Sequence, residues 1–263
     1  MNGMIDITWW QLVLVATTLL IPIAISNQLK LMLNKDIMIS VIRMSLQLIL
    51  VGLYLEYLFR VNSFFVNAGW LLIMILVGSS SIIGKSQLPK AKLFLPVSLG
   101  LFVALLPMLA LICTAVVRPL PFYSAQYVIP LAGMLLGNSL SGNIVALQNL
   151  FTSLEERKPE YEAAISLGAS TSYATRPFIQ AALQKSLAPI LASMTTTGLV
   201  TLPGMMTGQI LSGASPMLAI KYQLMIMIAI FVTMSVSITL SLKLTVLRTI
   251  HKGGKVTVRF KIP

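Results

Sequence analysis

The sequence has 263 residues, of which 57% are hydrophobic and only 10% are charged, and its mean hydropathy is +0.89. A soluble domain carries about a quarter charged residues, so this composition excludes a water-soluble protein and indicates one embedded in lipid. The formal net charge of +12 comes from basic residues in the connections between apolar runs, which excludes a nucleic-acid-binding face and a nucleic-acid partner.

Apolar runs near the ~20 residues needed to cross a bilayer recur along the chain, separated by short basic stretches. This layout predicts an all-α, polytopic helical bundle of about seven transmembrane helices, forming a single membrane domain over residues 1–263. The predicted spans are residues 9–26, 37–59, 68–83, 93–116, 127–150, 187–211 and 219–247.

The distribution of Lys and Arg predicts the orientation, because cytoplasmic connections carry an excess of both residues. If the N-terminus is outside, 15 of the 19 Lys and Arg residues fall on the cytoplasmic side, including those of a basic tail at residues 248–263. Trp9, Trp10 and Trp70 then lie near the outer interface, where aromatic rings accumulate. We therefore place the N-terminus outside and the C-terminus in the cytoplasm.

Two polar residues of the second span, Arg43 and Gln47, lie one helical turn apart on the same face. Polar groups inside a membrane are costly unless they face a pathway, a partner or one another. Arg43 is also close enough to the cytoplasmic surface for its guanidinium to reach it. A structural pair and a contribution to a pathway are therefore both open interpretations.

Residues 78–86 superficially resemble a phosphate-binding loop. However, five residues separate its glycines where that loop has four, and the stretch ends an apolar helix instead of following a strand. We therefore predict no nucleotide site, no catalytic residue and no cofactor in this chain.

Small and polar residues lie together on the fifth span. Gly133 and Gly137 form a face of small residues that suits close helix packing. Asn138 lies beside them. The asparagine is therefore either part of a packed interface or part of a pathway lining.

The longest connection, residues 151–185, is predicted to contain a short cytoplasmic helix over residues 159–167. Pro159 suits its first turn, the acidic residues there favour its positive end, and Gly168 suits its C-terminal cap. Ser170 then caps a second helix that runs back toward the membrane. On pattern alone, an ordinary solvated loop and a partner-binding segment are equally compatible with these residues.

The short helix also carries an apolar patch, Tyr161, Ala164, Ile165 and Leu167. Exposed apolar groups gain little from contact with water. The sequence therefore predicts that this patch is buried in a partner.

The sixth span is more polar than its neighbours and contains Thr197, Gln209 and the pair Pro203–Gly204. A proline at membrane depth frees backbone groups, and these are tolerated only against protein or a water-filled cavity. We predict a kinked or broken helix that faces a translocation route, with simple helix packing as the alternative. Its paired methionines at positions 205 and 206 suit adaptable packing or soft metal ions.

Two groups of residues carry a family resemblance. Glu162-Ala163-Ala164, with Gly168 following, resembles the loop by which permeases of ABC transporters dock a short helix on their ATPase. Residues 198–213, Gly-Leu-Val-Thr-Leu-Pro-Gly-Met-Met-Thr-Gly-Gln-Ile-Leu-Ser-Gly, resemble the FetB-type permeases, a family linked to iron export with plant relatives linked to aluminium tolerance. Residues 43–52 and 128–138 add to this resemblance, which covers nearly the whole chain.

The resemblance implies the permease subunit of an ABC transporter in the plasma membrane, surrounded by lipid. It would export a metal ion, iron, as a homodimer powered by a separate ATPase chain, and would not itself be an enzyme. The predicted ATPase-coupling residues are Glu162, Ala163, Ala164 and Gly168, and the predicted translocation path comprises Arg43, Gln47, Asn138, Thr197, Pro203, Gly204, Met205, Met206 and Gln209.

The residues themselves do not predict iron ligands. Iron favours His or carboxylate ligands, but the only histidine, His251, lies in the basic tail, and Glu56 is the only carboxylate within a predicted span. Two alternatives remain open: a channel or secondary carrier, which would need more ionisable groups inside its spans, and a membrane scaffold that transports nothing.

Overall fold

Residues 7–250 are described by a computed structural model of the protein, and they are largely helical. Within them the backbone forms no strand, and an isolated bridge joins Thr197 and Thr201. The helices are α1 (Trp9–Thr17), α2 (Leu20–Gln28), α3 (Asn34–Val61), α4 (Phe64–Lys85), α5 (Lys90–Leu111), α6 (Ala125–Glu156), α7 (Lys158–Ser166), α8 (Thr171–Thr196), α9 (Gly204–Leu211) and α10 (Pro216–Thr249). A π-helical turn, Ile112–Val116, continues α5. The predicted all-α fold is confirmed.

In the described part of the chain, six helical stretches are long and apolar enough to cross a membrane, which confirms a polytopic membrane protein. They are Trp9–Gln28 (α1 with α2), Asn34–Val61, Phe64–Lys85, Lys90–Val116, Ala125–Glu156 and Pro216–Thr249. The segment predicted as the sixth span, residues 187–211, is not one of them, because its backbone leaves the helix between α8 and α9. The count of seven spans and the outward N-terminus therefore stay predictions.

The centre of the bundle is formed by α5, α6 and α10, with α4 and α8 packed around them. Glycines allow the closest approaches. A Cβ at Gly100 would lie 2.4 Å from Ser241 Oγ and 2.9 Å from the carbonyl oxygen of Ser237, so the backbones of α5 and α10 nearly touch. On α6, a Cβ at Gly142 would lie 2.5 Å from the Met234 side chain. Small residues are what permit such close helix packing in a membrane.

Replacing Gly100 with Ala should therefore destabilise the bundle. The added methyl group has no room between α5 and α10, and overpacking of this kind costs about 1–3 kcal/mol of unfolding free energy. Gly84→Ala is the matched control, because nothing lies within 4 Å of a Cβ at that position. Thermal unfolding in detergent should show a lower midpoint for Gly100→Ala only, and equal midpoints would contradict the close approach.

A stripe of hydroxyl side chains spaced four residues apart lies on α10. Thr233, Ser237, Ser241 and Thr245 are all buried, and Asn143 Nδ2 of α6 donates to Ser237 Oγ at 3.0 Å. The stripe therefore lies inside the bundle and away from lipid, and Ser237 is the member that bonds across to α6, while the hydroxyls of Thr233, Ser241 and Thr245 have no hydrogen-bond partner in the described structure. It was not predicted, although its four-residue spacing is visible in the sequence.

Helix α3 lies at the periphery of the protomer. Leu58 is its one buried side chain, and it packs with Ala125 and Ile129 at the start of α6. Close by, the ring centroids of Tyr54 and Trp70 are 4.3 Å apart. The C-terminal end of α3 is therefore fixed to the bundle, while most of the helix presents its surface outward.

Candidate functional site

The short helix predicted at residues 159–167 is present as α7 and runs one residue earlier, from Lys158 to Ser166. Pro159 lies in its first turn, where a missing N–H costs nothing. At the other end, Gly168 has a φ of +87°, its N–H donates to the Ile165 carbonyl, and the next N–H donates to Ala164, both at 3.0 Å. Glycine is favoured in this left-handed conformation, so Gly168 ends the helix.

Helix α7 is anchored to the rest of the chain by aromatic contacts. Tyr161 is 3% exposed and its ring meets the Phe178 ring of α8 edge-on, with centroids 6.3 Å apart. The guanidinium of Arg157 lies 5.1 Å above the same Phe178 ring. Burial raises the pKa of the Tyr161 phenol. The prediction that Tyr161 faces a partner is therefore wrong, because its own chain already buries it.

Arg157 and Glu160 form a charged pair at the bend between α6 and α7. Arg157 Nε donates to both carboxylate oxygens of Glu160 at 3.0 Å, and Arg157 Nη2 forms a further contact with the same carboxylate. Hydrogen bonding to the guanidinium lowers the pKa of Glu160 and raises the pKa of Arg157. Both groups therefore stay charged at neutral pH, and the pair favours this bend of the chain.

The face of α7 that remains outward carries two of the predicted coupling residues. Glu162 and Ala163 are exposed, and the Glu162 carboxylate lies 3.5 Å from Lys158 Nζ in an exposed ion pair. Leu167, just past the helix end, is 88% exposed. Ala164, by contrast, is half-buried and packs against the core of its own chain. We define Lys158, Glu162, Ala163 and Leu167 as the outer face of α7.

Removing the Phe178 ring should release α7 without unfolding the bundle. Phe→Ala in a packed site costs about 3–5 kcal/mol, and here both Tyr161 and Arg157 lose their contact. Hydrogen exchange of the α7 amides should therefore accelerate in Phe178→Ala. Tyr173→Ala, which removes a 70% exposed ring from the same helix, should leave that exchange unchanged. Equal exchange in both variants would mean that Phe178 does not hold α7.

Helix α8 connects α7 to the interior of the bundle. Ser170 Oγ accepts a hydrogen bond from the Tyr173 N–H at 3.3 Å, which confirms the predicted N-cap. The buried face of α8, Ala174, Phe178, Ala182, Ser186 and Ile190, repeats every four residues, and the helix packs against α6 and α10. Phe178 therefore lies on the helix that connects α7 with α6 and α10.

The helix is broken over residues 197–203, which we name the break segment. Gly198 has a φ of +91° and its N–H donates to the Thr201 carbonyl at 2.9 Å, so the chain turns on itself after α8. The side chains at the tip are outward: Leu199 is 92% and Val200 79% exposed. The predicted broken helix is thus present, and Pro203 is the N-cap of α9, not a kink within a continuous helix.

The depth of the break segment in the membrane stays a prediction, because neither α8 nor α9 is among the six candidate spans of the described chain. Lys185 is the last charged residue of α8, and at about 1.5 Å per residue the helix rises roughly 17 Å from there to Thr196. A bilayer core is about 30 Å thick, so the segment falls near its middle. Non-helical backbone occurs at that depth only against protein or water. Leu199 and Val200 at its tip are uncovered within the protomer, so the protomer itself does not enclose the segment.

The predicted path residues near the break lie in the break segment and on α9. Thr197 Oγ1 donates to the Ser193 carbonyl at 2.7 Å. Gly204 starts α9 and is exposed. On α9, Met205 packs against the core and Met206 is half-buried, while Gln209 Oε1 is buried with no hydrogen-bond partner in the described structure.

The other predicted path residues lie elsewhere in the protomer. Arg43 and Gln47 are exposed on α3, whose main packing partners are α2 and α6, and α9 packs on α10. Asn138 is exposed on α6, with its Nδ2 bonded to the Met134 carbonyl at 2.9 Å. The described protomer therefore does not gather all nine residues into one site.

A metal centre is not apparent in the part of the chain that the structure describes. Across residues 7–250, no three His, Cys, Asp or Glu side chains lie together as ligands. His251 and the rest of the predicted basic tail after residue 250 lie outside the described residues.

Comparison with known proteins identifies relatives. The profile of UPF0014, described as an uncharacterised protein family, matches residues 9–250. UPF0014 membrane protein YjkA of Bacillus subtilis is 33% identical over 208 residues, covering 79% of this chain and 82% of the relative. Protein ALUMINUM SENSITIVE 3 of Arabidopsis thaliana is 34% identical over 213 residues, covering 79% and 75%. No solved structure matches the chain.

A third relative carries a functional name. The probable iron export permease protein FetB of Escherichia coli is 33% identical over 226 residues, covering 84% of each chain. The extent of these matches confirms the resemblance to the FetB-type permeases and supports a permease role, and the bacterial relatives indicate the plasma membrane. The chain belongs to the UPF0014 family of multi-pass membrane proteins, together with the FetB-type permeases.

Proposed function

We propose that this chain is the membrane-spanning subunit of an ABC transporter, acting as a homodimer with two ATPase subunits. The observation that carries the proposal is the continuous connection from the outer face of α7 to the break segment. Tyr161 and Phe178 join α7 to α8, and α8 ends at the break. A partner that binds α7 is therefore mechanically linked to the irregular backbone at membrane depth.

The same connection suggests how ATP would drive transport. Closure of the ATPase pair would push on the outer face of α7, and the packed Tyr161 and Phe178 rings would transmit the push to α8. Gly198, already at positive φ, and Pro203 flank the residues that can change their backbone angles. The break segment would then alternate between inward-facing and outward-facing arrangements.

A homodimer would cover the side chains and the irregular backbone that one protomer leaves exposed. Leu199 and Val200 are exposed in the protomer, and at the proposed membrane depth the irregular backbone that carries them would need protein or water around it. Arg43 and Gln47 are also exposed, on a helix with little packing of its own, and such groups are costly against lipid. Two copies with their break segments toward each other would enclose a polar route between them.

The proposed cargo is a metal ion, with iron favoured by the name of the Escherichia coli relative. The Arabidopsis relative is named for sensitivity to aluminium. Around the break, the side-chain hydroxyls of Thr197 and Thr201, neither of them buried, offer oxygen lone pairs to a passing ion. Oxygen ligands suit hard ions, whereas Met205 and Met206 offer thioethers that suit soft ones.

Purification with the partner tests the proposed assembly. Co-expressed with its ABC-type ATPase, the chain should elute as a complex of two permease and two ATPase subunits, with its mass measured by native mass spectrometry. Ala163→Trp, on the outer face of α7, should abolish the complex. Ala16→Trp, which adds the same ring to the exposed surface of α1, should preserve it. A permease that never binds the ATPase would instead favour a channel, a secondary carrier or a scaffold.

A further inference from the structure

One face of α3 is anchored to the bundle at its C-terminal end and is polar in its N-terminal half. Leu58 is fully buried against the start of α6, and Tyr54, one turn earlier, is half-buried. Counting back from Leu58 at about 100° per residue, Gln47 and Arg43 lie within roughly 60° of the same face. The two polar side chains therefore lie on the side of α3 that turns toward its own bundle.

This polar face is nevertheless uncovered. All residues from 42 to 53 are exposed, and no proline bends α3, so the helix diverges from the bundle between Tyr54 and its N-terminus. A gap therefore lies beside the N-terminal half of α3 in the single protomer. Among the described residues, the Arg43 guanidinium has no ion-pair partner.

A charge in that gap needs a partner. Arg43 lies eight residues past Lys35, which places it about 12 Å further along the helix, and an unpaired cation inside a membrane is costly. The carboxylates of the candidate spans lie in the first or last two turns of α3 and α6, and Glu56 already pairs with Arg60. The same face of a second α3 would bring a like charge. Carbonyl oxygens are therefore the acceptors that remain within the protein.

The break segment presents such carbonyl oxygens. In the described structure, no hydrogen bond is donated to the carbonyls of residues 197–200 or to that of Leu202. A guanidinium carries five N–H donors in a planar fork, so it can bond several carbonyls at once. The segment begins roughly 17 Å along α8 from Lys185, which lies on the same predicted side of the membrane as Lys35. The long side chain of Arg43 can span the difference in depth.

A second copy of the chain is the occupant that brings these groups together. Within one protomer α3 packs on α2 and α6, and the described hydrogen bonds of the break segment stay within residues 193–207. Leu199 and Val200 at the tip of the segment are exposed. The polar face of α3 and the unpaired carbonyls are therefore both left for contacts between protomers.

We infer that in the dimer α3 of each protomer packs across the break segment of its partner, and that the Arg43 guanidinium donates to the carbonyls which that segment leaves unpaired. A two-fold axis makes the contact twice, with the same residues on both sides. The inference rests on the proposed homodimer and adds which surfaces meet in it. Arg43 would thereby hold the irregular backbone of the break segment.

Site-specific photo-crosslinking tests this inference in membranes that hold the chain with its ATPase. A benzophenone amino acid in place of Arg43 should yield a dimer-sized band after irradiation, and mass spectrometry should locate the new bond within residues 197–203 of the other copy. The matched control is the same amino acid in place of Ile42, which is 61% exposed on the opposite face of α3. That variant should form no bond to the break segment.

Native mass spectrometry of the same samples separates this inference from the proposed function. A dimer whose cross-links from position 43 lie outside the break segment, or join it to lipid, would overturn the inference and leave the homodimer standing. A monomeric permease would overturn both. Should the variant at Arg43 fail to insert, Gln47, on the same face, takes the probe, and the same results apply to it.

The affinity of the dimer gives a second test, measured by energy transfer between labelled copies on dilution in detergent. Arg43→Met should raise the dissociation constant at least about tenfold, because hydrogen bonds from a charged donor are lost on both sides of the axis. Ile42→Met, on the opposite face, should leave the dissociation constant unchanged. An unaltered dissociation constant in Arg43→Met would show that the guanidinium does not hold the partner.

Discussion

Gly204→Leu is expected to reduce transport by at least about tenfold while leaving the protein folded in the membrane. Gly204 starts α9 immediately after the break segment, and a Cβ there would meet nothing within 4 Å of its own protomer. The added side chain therefore costs little in packing within the chain. It would instead project into the proposed route between protomers, where a loss of about 1.4 kcal/mol already means a factor of ten in rate.

The matched control is Gly84→Leu, another exposed glycine with no neighbour within 4 Å of a Cβ. It adds the same side chain to α4, away from the break segment. ATP-dependent metal uptake into inside-out vesicles, normalised to the amount of inserted protein, measures the effect. If Gly204→Leu transported as well as Gly84→Leu, the break segment would be a packing feature and the route would lie elsewhere.

Gly168→Val is expected to uncouple the permease from its ATPase. Gly168 has a φ of +87° and open space around it, so the substitution acts through the backbone alone. A β-branched residue held at positive φ costs about 1–3 kcal/mol. That penalty lowers the population of the capped conformation at the end of α7, relative to other conformations, by roughly five- to 150-fold. The outer face of α7 would then lose its shape.

Gly168→Asn separates backbone strain from the loss of glycine itself, because asparagine tolerates the left-handed conformation. Stimulation of ATP hydrolysis by the permease should fall at least about fivefold in Gly168→Val and stay near normal in Gly168→Asn. Normal stimulation in both variants would remove α7 as the coupling element.

Local signals made α7 predictable almost to the residue. Pro159 and Gly168 mark its ends, and the structure moves each boundary by only one position. The burial of Tyr161 was not predictable in the same way, since its partner Phe178 lies on the next helix and nothing in the local pattern pairs them. The interpretation of the patch as wholly partner-facing failed for that reason.

The break in the sixth span was predictable from composition, but its position was less so. Pro203 and Gly204 are the obvious signals, and they do begin α9. The helix nevertheless ends earlier, at Thr196, because Gly198 adopts positive φ and the chain bonds back to Thr196. Arg43 and Gln47 are exposed on α3, and in the proposed homodimer their contacts would come from the second copy, which the sequence of one chain does not reveal.

Reconstitution tests the central claim most directly. Proteoliposomes holding the chain and its ATPase, with an iron-sensitive fluorescent chelator trapped inside, should accumulate Fe(II) only when ATP is supplied to the ATPase side. Vesicles with either protein alone should not. Accumulation by the permease alone, at a rate unaffected by the ATPase or ATP, would contradict the account and identify a channel or secondary carrier.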